Sequence, residues 1–174
     1  EYLLRELTSK NIFTTSHVGS RGSHPPDLQP SCMTLTDERL AASRIRSAIQ
    51  GPYFLTAALR AHKRLKKRSL EQIVDAIIAR KKRRKQENLL FDFRKAKDLV
   101  ITFNTLRPWF PRPYLCLFDS FCLLEYLALH ELFPTWVFGI QGEPFEAHCW
   151  LQEGDVVLND RVERVNKLSP IMTV

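Results

Sequence analysis

The feature that most constrains this chain is an apolar run, residues 114–140, entered through Pro108, Pro111 and Pro113 and interrupted by Pro134. Proline cannot continue a helix, so the chain turns before this run and a new helix starts close to Cys116. Phe118, Phe121, Cys122, Tyr126, Leu129 and Leu132 make that helix apolar on more than one side. A helix with no polar face must be buried, so the rest of the chain has to be built around it. Asp119, Glu125, His130, Glu131 and Pro134 break the run, which excludes a membrane span. The sequence predicts that Pro134 ends the helix.

The pattern changes after Pro134. Thr135 to Ile140, Ala147 to Gln152 and Val156 to Asp160 read as three strands, the last two joined by Glu153-Gly154-Asp155 as a hairpin loop. Helices followed by a small antiparallel sheet make an α+β fold. A three-residue loop at 153–155 pairs residue 152 with 156 and His148 with Asp160, on one face of the sheet. A two-residue loop would put those two side chains on opposite faces.

The N-terminal half reads as helical. Residues 2–13 fit a short amphipathic helix, and residues 16–31, rich in Gly, Pro and Ser, read as a linker. The organisation expected is a remnant of another module over 1–15, the linker over 16–31 and one domain over 32–174. Thr36 suits a helix cap ahead of Leu40, Ala41, Ile45, Ala48 and Ile49. Gly51 and Pro52 predict a break, with a second helix carrying Phe54, Leu55, Ala58, Leu59 and Leu65. Ser69 with Gln72 makes a capping box ahead of Leu70, Ile73, Val74, Ile77 and Ile78. A fourth helix over 88–105 would turn Leu89, Leu90, Phe93, Ala96, Val100 and Phe103 inward.

The net charge of +7 favours an acidic partner. Much of it lies in two runs, Arg60 to Arg68 and Arg80 to Lys85, which read equally as solvated helix ends or as a partner-binding patch. Neither run interleaves aromatics with its cations, which argues against a nucleic-acid groove. The four cysteines, Cys32, Cys116, Cys122 and Cys149, are spread widely and contain no C-x-x-C pair. That spacing argues for reduced thiols in a cytoplasmic protein and against a structural zinc site. No metal or cofactor site is evident.

Three residues carry candidate chemistry. Cys116 opens the buried helix, where the positive end of the dipole favours a thiolate. His148 would take the thiol proton and return it to a leaving amine, and Asp160 would orient the imidazole. The order Cys, His, Asp suits acyl transfer through a thioester, with the Cys116 N–H as one oxyanion donor. Cys122 and Cys149, each mid-element, read as small buried hydrophobes, and Asp155 reads as a turn former.

The segments Cys116-Leu-Phe-Asp-Ser120, Trp136-Val-Phe-Gly-Ile140, Pro144-Phe-Glu-Ala-His148-Cys-Trp150 and Val157-Leu-Asn-Asp160 closely resemble the B protein of lasso-peptide biosynthesis, a transglutaminase-like cysteine protease. The family pattern is roughly C-L-x-x-S, V-I-G-V, P-F-x-x-H-A-W, and V-x-N-D or N-E. The resemblance is strong from about residue 107 onward. It implies a papain- or transglutaminase-like core of one central helix and a small antiparallel sheet, with the helical half packed on it. It implies Cys116 as nucleophile, His148 as base and Asp160 as the orienting acid. It further implies removal of the leader from a lasso precursor peptide, a leader-recognition module (fused or separate) and an asparagine-synthetase-like cyclase as partners. Cys149 stands where the family usually has Ala, and Gln141 where it often has Arg. Two other readings compete: an acyltransferase using the same triad, and a non-catalytic basic adaptor in which Cys116 is inert.

Overall fold

The computed structural model describes residues 33–34, 44–85, 90–113 and 115–174, with side chains within 48–83, 90–113 and 115–174. The helix expected over 2–13, the linker over 16–31 and the Thr36 cap lie outside the described residues. The described chain is α+β: β1 (Met33–Thr34), α1 (Arg44–Lys67), α2 (Leu70–Lys85), α3 (Phe93–Leu106), a 3-10 turn (Arg107–Trp109), α4 (Cys116–Ala128), β2 (Thr135–Gln141), β3 (Glu146–Glu153), β4 (Val156–Val157), α5 (Val162–Val165) and β5 (Ser169–Thr173).

Helix α4 is the buried centre. Ten of its residues, from Leu117 to Leu127, are buried, and each large apolar side chain among them contributes roughly 1.5–3 kcal/mol by leaving water. Its end departs from expectation. Glu131 adopts φ 66°, and the Leu132 N–H donates back to the Leu127 carbonyl at 3.0 Å. This is a Schellman turn, so the last carbonyls are satisfied before Pro134 is reached.

Helix α1 runs through Gly51 and Pro52 without the predicted break. Pro52 lies on the solvent side, so the carbonyl it leaves unpaired faces water. The opposite side is a stripe of Phe54, Ala57, Ala58 and Ala61, each at most 5% exposed, whose small side chains bring α1 close against α4. Leu55 and Leu59 point outward instead. In α2 the capping box forms, with Gln72 N–H to Ser69 Oγ at 3.2 Å and Ser69 N–H to Gln72 Oε1 at 3.3 Å. Helix α3 starts later than predicted because Asp92 caps it, accepting the Lys95 N–H at 2.9 Å. Leu90 and Phe93 therefore sit outside the buried face, at 95% and 44% exposure.

The basic runs are divided. Arg64 and Arg80 turn inward and both donate to Oε1 of Glu125, at 2.6 and 2.5 Å, with the glutamate side chain fully buried. Lys81 donates to the Val174 carbonyl at 2.7 Å. These three tie α1 and α2 to α4 and the chain end, while Arg60, Lys63, Lys66, Lys67, Arg68, Lys82 and Arg83 remain exposed.

The sheet has five strands in the order β1-β4-β3-β2-β5, two more than the sequence predicted. Helix α4 packs on one face against Ala147, Cys149 and Leu151. The other face holds Val137, Trp150 and Val157 under Val162, Val165 and Leu168. No helix among the described residues is long and apolar enough to cross a membrane.

The β3–β4 hairpin corrects the predicted register. Gln152 pairs with Val157 and Glu153 with Val156, leaving a two-residue loop, Gly154-Asp155. Gly154 takes φ 53°, as the first residue of such a loop demands. By simple extension this register would separate His148 from Asp160. The ladder extends by only one more bond, from the Leu158 N–H to the Leu151 carbonyl at 2.9 Å, and the chain then bends away over 159–160.

Candidate active site

Strand β3 presents His148 at its open edge. Leu151 sends its N–H toward the β4 side, to Asn159 Oδ1 at 2.7 Å. Alternate residues of a strand point their N–H groups the same way. Cys149 therefore also directs its N–H at this edge, beyond the end of β4. The N-terminus of α4 meets the edge there and sets the Cys116 sulfur against it. The groups that act most strongly on the Cys116 thiol are the Cys149 and His148 side chains and the Cys149 backbone.

His148 is buried, at 4% exposure. Its Nε2 hydrogen-bonds Asp160 Oδ2, which leaves Nδ1 for the sulfur. The bend after Leu158 is what delivers Asp160, so the three residues expected from sequence come together, by a route other than hairpin register. Trp150 stacks beside the imidazole, ring centroids 6.3 Å apart. Gly139, paired with His148 across the sheet, makes room for it: a Cβ there would lie 2.9 Å from the Trp150 ring.

The electrostatics favour an ion pair. The Cys149 side chain chiefly, then the His148 side chain and its charge and the Cys149 backbone, lower the Cys116 thiol to about 4 against the opposing effect of burial. Burial opposes charge on His148, yet its hydrogen bond to Asp160 and the neighbouring Cys116 raise it to about 9. Burial likewise opposes charge on Asp160, and the hydrogen bond from His148 more than offsets it, holding the carboxyl below its usual range. Between those limits the site holds a thiolate beside an imidazolium, a charge state that would suit a nucleophile and its general acid.

Two residues not singled out in the sequence support this arrangement. Arg107, 3% exposed, donates from Nε to Asp119 Oδ1 at 2.5 Å and from its other nitrogens to the carbonyls of Phe110, Arg112 and Pro113 at 3.1–3.3 Å. It thereby shapes the proline-rich turn that leads into Cys116. Arg164 on α5 donates to Glu146 Oε1 at 2.6 Å and lies 3.8 Å from Asp160 Oδ2. The spacing of Asp160 and Arg164, four apart at a helix start, was a signal available in the sequence. A polar, open cavity of about 900 Å³ adjoins Asp160, lined by Glu146, Asn159, Arg161, Glu163, Arg164 and Lys167.

Cys122 is buried, and that burial raises its thiol to about 12, as expected of a core cysteine. Cys149 is equally buried, on the face of β3 opposite His148, where its sulfur lies 3.2 Å from Ser120 Oγ and burial raises its thiol.

Residues 36–173 match the family described as the transglutaminase-like superfamily. No curated protein and no solved structure matches the chain significantly.

Proposed function

The chain belongs to the transglutaminase-like superfamily, whose chemistry is that of cysteine-dependent peptidases and acyltransferases, and from that premise we propose that it is a cysteine peptidase that removes the leader from a lasso-peptide precursor. The observation that carries the catalytic part of this reading is the His148–Asp160 hydrogen bond beside a Cys116 thiol that is depressed while the imidazole is raised. The substrate part rests on the sequence resemblance alone.

The Cys116 thiolate attacks the carbonyl at the leader–core junction, and its own N–H, free at the helix start, faces the developing oxyanion. Collapse of the tetrahedral intermediate breaks the C–N bond, and His148 protonates the departing core amine. Water, deprotonated by the now neutral His148, hydrolyses the thioester and frees the leader. Asp160 holds the imidazole's tautomer throughout.

The freed amine would pass to an asparagine-synthetase-like cyclase, and a leader-recognition module would present the precursor. The exposed cations of α1 and α2 are the surface proposed to meet one of these partners or an acidic leader. The reduced thiols suit a cytoplasmic setting. Residues 1–15 are read as a remnant of the recognition module, joined by a linker over 16–31 to the peptidase domain.

The test is mass spectrometry of a precursor incubated with this protein and a leader-binding partner, comparing wild type with Cys116→Ala. Cleavage by the wild type alone supports the peptidase. Equal cleavage by both removes Cys116 from the mechanism. A product heavier by a bound amine rather than by water would make the protein an acyltransferase.

A further inference from the structure

Asp160 is carried differently from the other two residues of the site. Cys116 opens a buried helix and His148 lies within a strand, whereas Asp160 lies on the bend between β4 and α5. Its Oδ1 accepts the Arg161 N–H at 2.7 Å, and its Oδ2 pairs with His148 Nε2. An open cavity borders it and its side chain is 13% exposed, so water competes with the imidazole for the carboxylate. Arg164 reaches across this bend. Its Nε and Nη2 both donate to Glu146 Oε1, at 3.1 and 2.6 Å. Its Nη1 lies 3.8 Å from Asp160 Oδ2, the oxygen that meets His148. Glu146 stands two residues before His148 on β3, so the two side chains share a face of the sheet. Val162 and Val165 of α5 pack on that same face with Trp150.

Resting on the triad of the peptidase reading above, we propose that Arg164 is a positioning residue that clamps Asp160 to the strand carrying His148, with Oδ2 turned to the imidazole. An exposed ion pair adds little stability by itself, and the Arg164 side chain is half exposed. Its role is geometric. The guanidinium is planar, so two bonds to Glu146 fix the direction in which Nη1 points. The chain Glu146–Arg164–Asp160–His148 starts and ends on β3, two residues apart, and any shift of α5 must break it. The positive charge beside Oδ2 also attracts the carboxylate directly. In the proposed reaction His148 passes from imidazolium to neutral imidazole and back. The neutral imidazole is the weaker partner for Asp160, and over that interval Arg164 keeps the carboxylate in place.

The experiment is proton NMR of the full chain, following the proton on His148 Nε2, alongside thermal melting and the kinetics of precursor cleavage. An imidazole proton held by a buried carboxylate resonates far downfield and exchanges slowly. The variants are Arg164→Met, Arg164→Lys and the exchange Glu146→Arg/Arg164→Glu. Methionine keeps the stem and loses both contacts. Lysine keeps the charge but cannot hold Glu146 and Asp160 together. The exchange restores the tie between β3 and α5 with the wrong charge beside Asp160. The expected result is that Arg164→Met broadens the resonance and lowers kcat roughly tenfold with KM unchanged. Lysine should fall between methionine and the wild type. The exchange should recover melting temperature but neither the resonance nor kcat. Recovery of all three by the exchange would make Arg164 a mere tie between elements and overturn the proposal, as would an unchanged resonance in Arg164→Met. If the wild type shows the resonance but cleaves no precursor, the peptidase reading falls and the resonances of the variants still decide the role of Arg164. Absence of the resonance from the wild type overturns both.

Discussion

Asn159 Oδ1 accepts the N–H of Leu151 at 2.7 Å, standing where the next backbone carbonyl of β4 would have been. This one bond lets the ladder stop without leaving a buried donor unpaired, and so lets Asp160 leave the strand and reach His148. Asn159→Ala leaves the Leu151 N–H without its partner at a fully buried residue, a loss of about 1–3 kcal/mol. Thermal melting should show the destabilisation. The folded fraction should also lose kcat with little change in KM, because the imidazole loses its orienting carboxylate.

Arg107 offers a second route to the nucleophile. Lysine keeps the charge but cannot serve Asp119 and three carbonyls at once. Arg107→Lys is expected to lower kcat roughly 10- to 100-fold through misplacement of the α4 start. Alkylation of Cys116 should slow in parallel, while circular dichroism shows helix content retained.

The cluster at Glu125 should respond asymmetrically. Arg64 and Arg80 keep side-chain exposures of 29% and 24%, whereas Glu125 has none. Removing Glu125 as Gln leaves two cations able to rehydrate. Removing both arginines strands a buried carboxylate, a loss on the order of 3–5 kcal/mol. Denaturant titration of Glu125→Gln against the double variant Arg64→Met/Arg80→Met should show the double variant to be the less stable.

The pH profile follows from the ion pair. The thiolate is lost as pH falls through about 4, and the imidazolium that protonates the leaving amine is lost as pH rises through about 9. The rate constant kcat/KM should therefore hold a plateau between those limits and fall on either side. A profile peaking sharply near 6.5, the ordinary imidazole value, would contradict a preformed pair.

Much of this protein was legible in its residues. The all-round apolar run after three prolines required a buried central helix. The shift to alternating β-formers required a sheet beside it, and the capping box at Ser69 and Gln72 is a local contact whose partners lie three residues apart. The motifs around Cys116, His148 and Asp160 named the candidate site residue by residue. Such features depend on neighbours in the chain, where sequence pattern and geometry are tied directly. Other features were decided only when distant segments met. Helix α1 crosses Gly51 and Pro52 because burial of its alanine stripe against α4 outweighs a local break. The inward turn of Arg64 and Arg80 depends on a carboxylate 45 residues or more away in the chain. The hairpin took the shorter loop, and His148 still meets Asp160 because an asparagine side chain ended the ladder. Cys149 came to lie against Ser120 of α4 because the face of β3 that carries it packs on that helix. In each of these cases the deciding energy is desolvation or a hydrogen bond between groups far apart in sequence, and the order of residues does not specify such contacts until the chain is folded.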